Sequence, residues 1–230
     1  MSNNVVVAMD GPSGSGKSST SRGVADRLGL RYLDTGAQFR AMTWWMLRSG
    51  VDVEDAAAVA ARAGEPRITS GTDPLAPTIT VDDEDVAEAI RSAEVTDAVS
   101  PVATVPAVRA RLLELQRSII AAALAAGTGI VVEGRDIGSV VWPEAAVKLY
   151  LTADASARAA RRQAEDGSGS VEATEASLLA RDAIDSSRST APLVVPEGAV
   201  HLDTTPYTLE QVVARVVAIV EERARATATS

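Results

Sequence analysis

Near its N-terminus the chain reads Val5-Val-Val-Ala-Met9 followed by Asp10-Gly11-Pro12-Ser13-Gly14-Ser15-Gly16-Lys17-Ser18. The first part is a short apolar run rich in β-branched residues, which is typical of a strand buried on both faces. The part from Gly11 to Ser18 satisfies the pattern G-x-x-x-x-G-K-[ST]. Residues 17–28 then have the pattern of a helix, closed by Gly29. This order of strand, glycine-rich loop and helix predicts a phosphate-binding loop.

Each residue type in this loop suits the binding of phosphate. The glycines let backbone N–H groups wrap around an anion, and the positive end of the helix dipole points at the same place. Lys17 supplies a charge for the β and γ phosphates, and Ser18 can hold Mg²⁺. The alternative is a glycine turn that binds nothing. The strand before the loop and the helix after it favour the nucleotide-binding interpretation.

Composition excludes several classes of function. The chain has 230 residues, 46% of them hydrophobic, which suits one well-buried domain. It has no cysteine and one histidine, so disulfides, thiol nucleophiles and multi-histidine metal sites are excluded. A net charge of −9 disfavours nucleic acid as a partner. Without an apolar run that spans a bilayer or a secretion signal, we expect a cytoplasmic protein with no membrane partner.

The rest of the chain alternates strands and helices, which predicts a parallel sheet covered by helices. Further strands are predicted at 31–33, 130–132, 147–151 and 199–202, and helices at 38–48, 106–126, 155–164, 171–187 and 209–225. Between residues 51 and 100 a short helix (54–63) and two strand-like runs that could turn at Asp82-Asp83-Glu84 predict an antiparallel insertion. On helix 106–126, the face toward the core is expected to comprise Val108, Leu112, Leu115, Ile119 and Ala123.

Two polar clusters directly follow predicted strands. One runs from Asp34 through Thr35 to Arg40, and the other from Glu133 through Arg135 and Asp136 to Gly138. Ligands of open parallel sheets bind at the carboxyl ends of strands, so both clusters are expected near the phosphate loop. The structural alternatives are that Thr35 only caps a helix and that Arg135 and Asp136 form a surface ion pair.

Two more clusters are predicted on helices. Spacings of four and three place Arg181, Asp185 and Arg188 on one helix face, where the alternative is a stripe of salt bridges. Three arginines, at positions 158, 161 and 162, precede a flexible Asp166-Gly-Ser-Gly-Ser loop, where the alternative is a solvated basic face.

Together these clusters favour phosphoryl transfer between two anionic ligands, which depends on positioning and charge neutralisation more than on a base. An acceptor phosphate, with a second pKa of about 6, is itself a nucleophilic anion near neutral pH. The Asn-Lys-x-Asp motif of GTPase switches is absent, and Ile130-Val-Val-Glu133-Gly134 lacks the paired acids of motor ATPases. Another small-molecule kinase and a nucleotide-gated binding protein stay open as alternatives.

On these residues the chain resembles the bacterial cytidylate kinases over nearly its whole length. The matching motifs are the phosphate loop, Leu33-Asp-Thr-Gly-Ala37 with Arg40, Glu133-Gly-Arg-Asp-Ile-Gly138, and the helix from Arg181 to Arg188. The resemblance implies a three-layer α/β P-loop kinase fold with a parallel five-stranded sheet flanked by helices, a small antiparallel β insertion and a helical lid. It implies a single domain over residues 1–230, with a CMP-binding insertion at 51–98 and the lid at 155–172.

The resemblance also implies ATP-dependent phosphorylation of CMP and dCMP by a monomer, with Mg²⁺ held at Ser18. ATP would bind at Gly11, Pro12, Ser13, Gly14, Ser15, Gly16, Lys17, Ser18 and Ser19. CMP or dCMP would bind at Thr35, Arg40, Ser100, Arg109, Arg135, Asp136, Arg181, Asp185 and Arg188. The catalytic charges would be those of Lys17, Arg135, Arg158, Arg162 and Arg188.

The chain departs from the family pattern next to Arg40. Gln38 and Phe39 stand where the family more often has an aliphatic residue or Met, then Tyr. A hydroxyl beside the acceptor site is therefore missing. The phosphate-binding residues are unaffected, so activity is expected to be retained.

Overall fold

The computed structural model describes residues 4–166, 170–188 and 190–228. In chain order its strands are β1 (Val6–Asp10), β2 (Arg31–Asp34), β3 (Ile68–Ser70), β4 (Ile79–Val81), β5 (Glu84–Asp85), β6 (Ile130–Gly134), β7 (Val147–Thr152) and β8 (Val200–Asp203). Its helices are α1 (Lys17–Leu28), α2 (Thr35–Arg48), α3 (Ala56–Arg62), α4 (Ala93–Thr104), α5 (Pro106–Ala125), α6 (Ala155–Asp166), α7 (Val171–Ser187) and α8 (Leu209–Ala228).

Five parallel strands form the central sheet in the order β2-β6-β1-β7-β8. Every residue of β1 is buried, because helices cover both faces of the sheet. Val7 and Met9 belong to a core shared with α1 and α8. Val6 and Ala8 face the opposite layer and pack in a core with Ile120 of α5. The predicted three-layer α/β fold with a five-stranded parallel sheet is confirmed.

Helix α1 has the predicted bounds, and glycine sets both ends. Gly16 precedes it with φ 84° and Gly29 follows it with φ 64°, in the left-handed region where a side chain is disfavoured. The first turn of α1 therefore begins directly at Lys17, and its N-terminal N–H groups face the phosphate loop.

Helix α2 begins earlier than predicted, at Thr35 rather than Gln38. Asp34 caps it by accepting a hydrogen bond from the Ala37 N–H at 2.9 Å. The alternative role of Thr35 as the cap is therefore wrong, since a carboxylate one residue earlier takes that position. The Thr35 hydroxyl instead donates to the Glu133 carbonyl at 2.7 Å, which ties α2 to the end of β6.

The buried face of α5 differs from the predicted one. Leu115 and Ile119 are only half-buried, whereas Gln116 and Ile120 are buried. The predicted face moves from Leu112 to Leu115 by a step of three, whereas the helix buries residues at steps of four from Val108 to Ile120. The buried face is therefore displaced by one residue after Leu112.

The insertion contains the expected antiparallel sheet, in the order β3-β4-β5. Asp82 and Asp83 form the turn between β4 and β5 with φ of 50° and 68°, as a two-residue hairpin turn requires. Helix α4 was not predicted. It begins at a Ser92 cap and crosses residue 98, where the predicted insertion ends.

A loop of the insertion lies along the edge of the central sheet. The Tyr32 N–H of β2 donates to the Thr72 carbonyl at 2.9 Å, and the Arg31 side chain donates to the Thr72 hydroxyl at 3.0 Å. On the adjoining surface of α1, Arg22 donates to the Pro74 carbonyl at 2.8 Å. The insertion is thus anchored to the outermost strand as well as to α2.

Helices α6 and α7 pack against each other over the carboxyl end of the sheet. The predicted lid, 155–172, covers the whole of α6 and the first two residues of α7, and its residues 167–169 lie outside the described part of the chain. Across the described ranges, no helix is both long and apolar enough for a bilayer span.

Candidate active site

The phosphate loop runs from Gly11 to Gly16 between β1 and α1. A Cβ on Gly11, where φ is 145°, would come within 2.0 Å of the Leu151 carbonyl oxygen of β7. Gly14 has φ 75° and packs on the backbone of Arg158. Glycine is therefore required at both positions, once for a close backbone approach and once for a left-handed turn.

Lys17 is buried inside this loop. Its ammonium donates to the Pro12 carbonyl at 2.7 Å, so the side chain folds back over the loop. Burial, then the charge of Arg135, lowers the pKa of Lys17 below its ordinary value. A bound anion would favour the charged form and reverse this effect.

Glu133, at the end of β6, faces Lys17 and Ser18. It accepts hydrogen bonds from the Ser18 hydroxyl at 2.9 Å and from the Tyr32 hydroxyl. Burial, then the charge of Asp34, raises the pKa of Glu133. The sequence motifs assign no role to Glu133 or to Tyr32. The available signal was an acidic residue at the carboxyl end of a strand next to the phosphate loop.

Asp10 holds the chain that leaves β6. Its carboxylate accepts from the Ile137 N–H at 2.7 Å and the Gly138 N–H at 2.8 Å. Burial raises the pKa of Asp10 to about 6, against these two hydrogen bonds. The two bonds fix the turn that carries Arg135 and Asp136.

Asp136 and Arg109 form a buried ion pair on the other side of the cleft. The Arg109 guanidinium also donates to the Ala103 carbonyl at 3.1 Å and lies 5.3 Å from the centre of the Phe39 ring. Burial raises the pKa of Asp136 despite the neighbouring Arg109. Val99 and Ala103 of α4 also line the cleft, so this pair adds a fixed polar group beside apolar side chains.

Arginines from several elements face the space between the loop and this pair. Arg40 of α2 donates to the Ile90 carbonyl at 2.9 Å, and Arg135 contacts Asp185 of α7 at 2.9 Å. Burial, then the charges of Arg181 and Arg162, lowers the pKa of Arg40 to about 10. Such mutual repulsion is relieved when an anion binds among the cations.

Apart from Asp10 and Tyr32, the side chains described above line one cleft with a cavity volume of about 200 Å³. The predicted site residues along it are Ser13, Gly14, Gly16, Lys17, Ser18, Ser19, Thr35, Arg40, Ser100, Arg109, Arg135, Asp136, Arg162, Arg181, Asp185 and Arg188. The alternative of a surface ion pair at Arg135 and Asp136 is wrong, because Asp136 pairs with Arg109 and Arg135 pairs with Asp185. The alternative of a salt-bridge stripe on α7 holds in part: Arg188 pairs with Asp185 at 3.3 Å, but both side chains also line the cleft. Gly11, Pro12 and Ser15 support the loop without lining the cleft.

Arg158 does not line the cleft. It is buried, donates to the Ser13 carbonyl at 3.0 Å and pairs with Asp182 of α7. Its neighbour Arg161 lines the cleft instead. The two residues lie one turn apart on nearly the same face of α6, so their positions along the helix axis decide which of them reaches the cleft.

The oxygen atoms at the mouth of the loop suit Mg²⁺. Among the described residues, no group of three or more acidic, histidine or cysteine side chains could hold a metal by itself. Mg²⁺ usually takes one or two protein oxygens and completes its shell with phosphate oxygens and water. The Ser18 hydroxyl and the Glu133 carboxylate provide such a pair.

Comparison with known proteins agrees with this geometry. Residues 7–222 match the family model described as cytidylate kinase. The chain is 58% identical over 219 residues to a cytidylate kinase of Streptomyces avermitilis, covering 95% of this chain and 94% of the relative. It is 45% identical over 227 residues to a cytidylate kinase of Mycobacterium leprae, covering 96% and 98%.

A solved structure of low sequence identity supports the fold. A gluconokinase from Sinorhizobium meliloti 1021 superposes with a TM-score of 0.51 at 14% identity, covering 100% of this chain and 99% of that chain. The motifs at the cleft and the extent of the family match lead to one conclusion: this chain belongs to the cytidylate kinase family.

Proposed function

We propose that this protein transfers the γ-phosphoryl group of ATP to CMP or dCMP, giving ADP and CDP or dCDP. The observation that carries the proposal is one cleft in which the phosphate loop, converging arginines and the Arg109–Asp136 pair all line the same space. Relatives named cytidylate kinase, which match nearly the whole chain, support this choice of acceptor.

The donor half is the phosphate loop. Backbone N–H groups of the loop and the start of α1 would hold the β and γ phosphates. On binding, the Lys17 ammonium would exchange its hydrogen bond with the Pro12 carbonyl for contacts with the negatively charged phosphates. The donor is therefore held mainly by backbone groups, whose positions are set when the loop folds.

The acceptor phosphate would bind among Arg40, Arg135 and Arg188. Burial, then the charge of Arg181, lowers the pKa of Arg40, and burial lowers the pKa of Arg188 even though Asp185 is close to it. A phosphate dianion bound here would stabilise the charged form of these buried arginines. The acceptor phosphate would therefore bind tightly at the place where its nucleophilic oxygen must be positioned.

The acceptor base would contact the Arg109–Asp136 pair. Arg109 occupies only part of the accepting capacity of the Asp136 carboxylate. The remaining lone pairs can accept from the exocyclic amine of cytosine. Uracil presents a carbonyl oxygen there, which a carboxylate repels, so the pair discriminates between the two bases. Ser100 would complete the base contacts, and Arg181 with Asp185 would hold the sugar.

The transfer needs no side chain to remove a proton. The second pKa of the acceptor phosphate is about 6, so near pH 7 this phosphate is mostly a dianion. One of its oxygens forms a bond to the γ phosphorus while the bond to the β–γ bridging oxygen breaks, and ADP leaves with that electron pair. Lys17, Arg135, Arg162 and Arg188 would stabilise the charge on the transferring group.

Ser18 and Glu133 are the residues that would hold Mg²⁺. The ion would neutralise charge on the β and γ oxygens of the donor. Arg158 would act through the loop, because its guanidinium donates to the Ser13 carbonyl and does not line the cleft. Closure of the 155–172 segment over the cleft, the monomeric state and the cytoplasmic location stay predictions.

A coupled ADP-release assay tests the proposal with CMP, dCMP, UMP, AMP and shikimate as acceptors. We expect CMP and dCMP to be preferred over the others. Faster turnover of UMP than of CMP would contradict the base assignment, and preference for shikimate would indicate another class of kinase. No stimulation by any acceptor would favour a nucleotide-gated binding protein.

A further inference from the structure

Thr204 lies directly after β8, at a junction of three segments. Its side chain is buried, and its hydroxyl lies 3.0 Å from both the Ser15 carbonyl and the Thr152 carbonyl. Its N–H also donates to the Thr152 carbonyl, at 2.8 Å. One residue therefore joins the phosphate loop to the ends of the two neighbouring strands β7 and β8.

Thr204 also holds a cationic side chain of the cleft. Arg161 of α6 donates from Nη1 to the Thr204 hydroxyl at 2.9 Å and from Nη2 to the Thr204 carbonyl at 2.8 Å. Arg161 lines the cleft beside the loop: a Cβ on Gly16 would lie 3.6 Å from its Nη1. Both outer nitrogens of this guanidinium are thus oriented by a single residue.

The bond to Ser15 has a consequence for phosphate binding. A trans peptide unit is planar, so the Ser15 carbonyl and the Gly16 N–H point in opposite directions. Because the carbonyl is turned toward Thr204, the Gly16 N–H is turned the other way. The Thr152 carbonyl already accepts a hydrogen bond from the Thr204 N–H. The hydroxyl proton of Thr204 is therefore needed mainly for the hydrogen bond to the Ser15 carbonyl.

We propose that Thr204 is a positioning residue for the phosphoryl donor: its hydroxyl orients the Ser15–Gly16 peptide and anchors Arg161 beside the loop. This inference rests on the proposed function for the identity of the donor. It adds a residue outside the lining of the cleft that acts on the donor half of the site, since its contacts are with the loop, α6 and β7.

The experiment compares Thr204→Val with Thr204→Ser and measures the Kd of MgATP and of CMP separately, by calorimetry on the whole chain. Val matches the shape of Thr but lacks the hydroxyl, whereas Ser retains it. We expect Thr204→Val to raise the Kd of MgATP about fivefold, the effect of one lost hydrogen bond, and to leave the Kd of CMP unchanged. Thr204→Ser should bind both ligands as the unaltered protein does.

Thr205→Val is a matched control. The neighbouring Thr205 hydroxyl accepts from the Asp154 N–H at 2.9 Å at the start of α6 and has no contact with the loop. We expect this variant to bind MgATP normally. If Thr204→Val does not fold, Thr204→Ala leaves room for water and should show the same donor-specific weakening, though smaller.

Two outcomes would overturn the inference: unchanged MgATP binding in a folded Thr204→Val or Thr204→Ala variant, or equal weakening of MgATP and CMP. Neither depends on turnover. Failure of the unaltered protein to phosphorylate CMP would instead contradict the proposed function, so the two failures are distinguishable.

Discussion

Replacing Asp136 by Asn isolates the contribution of one negative charge to base selection. The side chains of Asp136 and Arg109 are 8% and 9% exposed, so solvent screens this pair weakly. A hydrogen bond to a charged group contributes about 1.5–3 kcal/mol, which corresponds to a loss of roughly 10- to 150-fold in kcat/KM for CMP. Because an amide can donate as well as accept, UMP should lose less or gain.

The assay is coupled ADP release with CMP and UMP as alternative acceptors at saturating MgATP. We expect the ratio of kcat/KM for CMP to that for UMP to fall at least about tenfold in Asp136→Asn. The amide still offers Arg109 an acceptor, so we expect a loss of only about 1–3 kcal/mol in the free energy of unfolding, less than for a fully broken buried pair.

Asp182→Asn is the matched control, because Asp182 pairs with Arg158 and does not line the cleft. It should leave the CMP-to-UMP ratio unchanged even if it weakens MgATP binding through the loop. A folded Asp136→Asn variant with an unaltered ratio would refute the reasoning, since another group would then have to read the base.

Three further variants test other parts of the structure. Lys17→Ala should abolish transfer while CMP binding, measured by calorimetry, stays intact; equal loss of both would contradict the division of the cleft into two halves. Asp10→Asn tests a buried carboxyl whose pKa is raised from 3.8 to about 6: this group stabilises the protein below pH 4 and the contribution is lost as pH rises to 6. Between pH 4 and pH 6, the free energy of unfolding measured in urea should therefore fall by about 3 kcal/mol less in Asp10→Asn than in the unaltered protein. An equal fall in both proteins would exclude this effect. Arg158→Gln should raise the KM for MgATP more than it lowers kcat, because Arg158 supports Ser13; a collapse of kcat at unchanged KM would place Arg158 on the transferring group.

The elements that local rules determine were predicted well from the sequence. Gly16 and Gly29 fix both ends of α1, and the apolar run before the loop requires a buried strand. Helix α4 was missed because Pro101 removes a backbone donor within it, which local rules interpret as a helix end. Packing against α2 stabilises α4 despite that loss.

In the candidate site, too, some features follow from local sequence rules and others depend on tertiary packing. Its residues could be gathered from the motifs because parallel strands bring their carboxyl ends to one edge. Which arginine of α6 faces the cleft could not be predicted, since Arg158 and Arg161 lie one turn apart on nearly the same helix face and the position of α6 along its axis depends on tertiary packing. The role of Glu133 depends on Tyr32 and Ser18, which approach it from separate elements, and sequence spacing contains no information about such distant pairs.

The contact between Tyr32 and Thr72 has a consequence beyond catalysis. A strand at the border of a sheet leaves backbone donors open to pairing with another chain, a common start of aggregation. Here the insertion covers that border by taking the Tyr32 N–H. A shortened variant without residues 71–78 would uncover β2, so self-association during storage or expression, rather than weakened catalysis, would be its first visible defect.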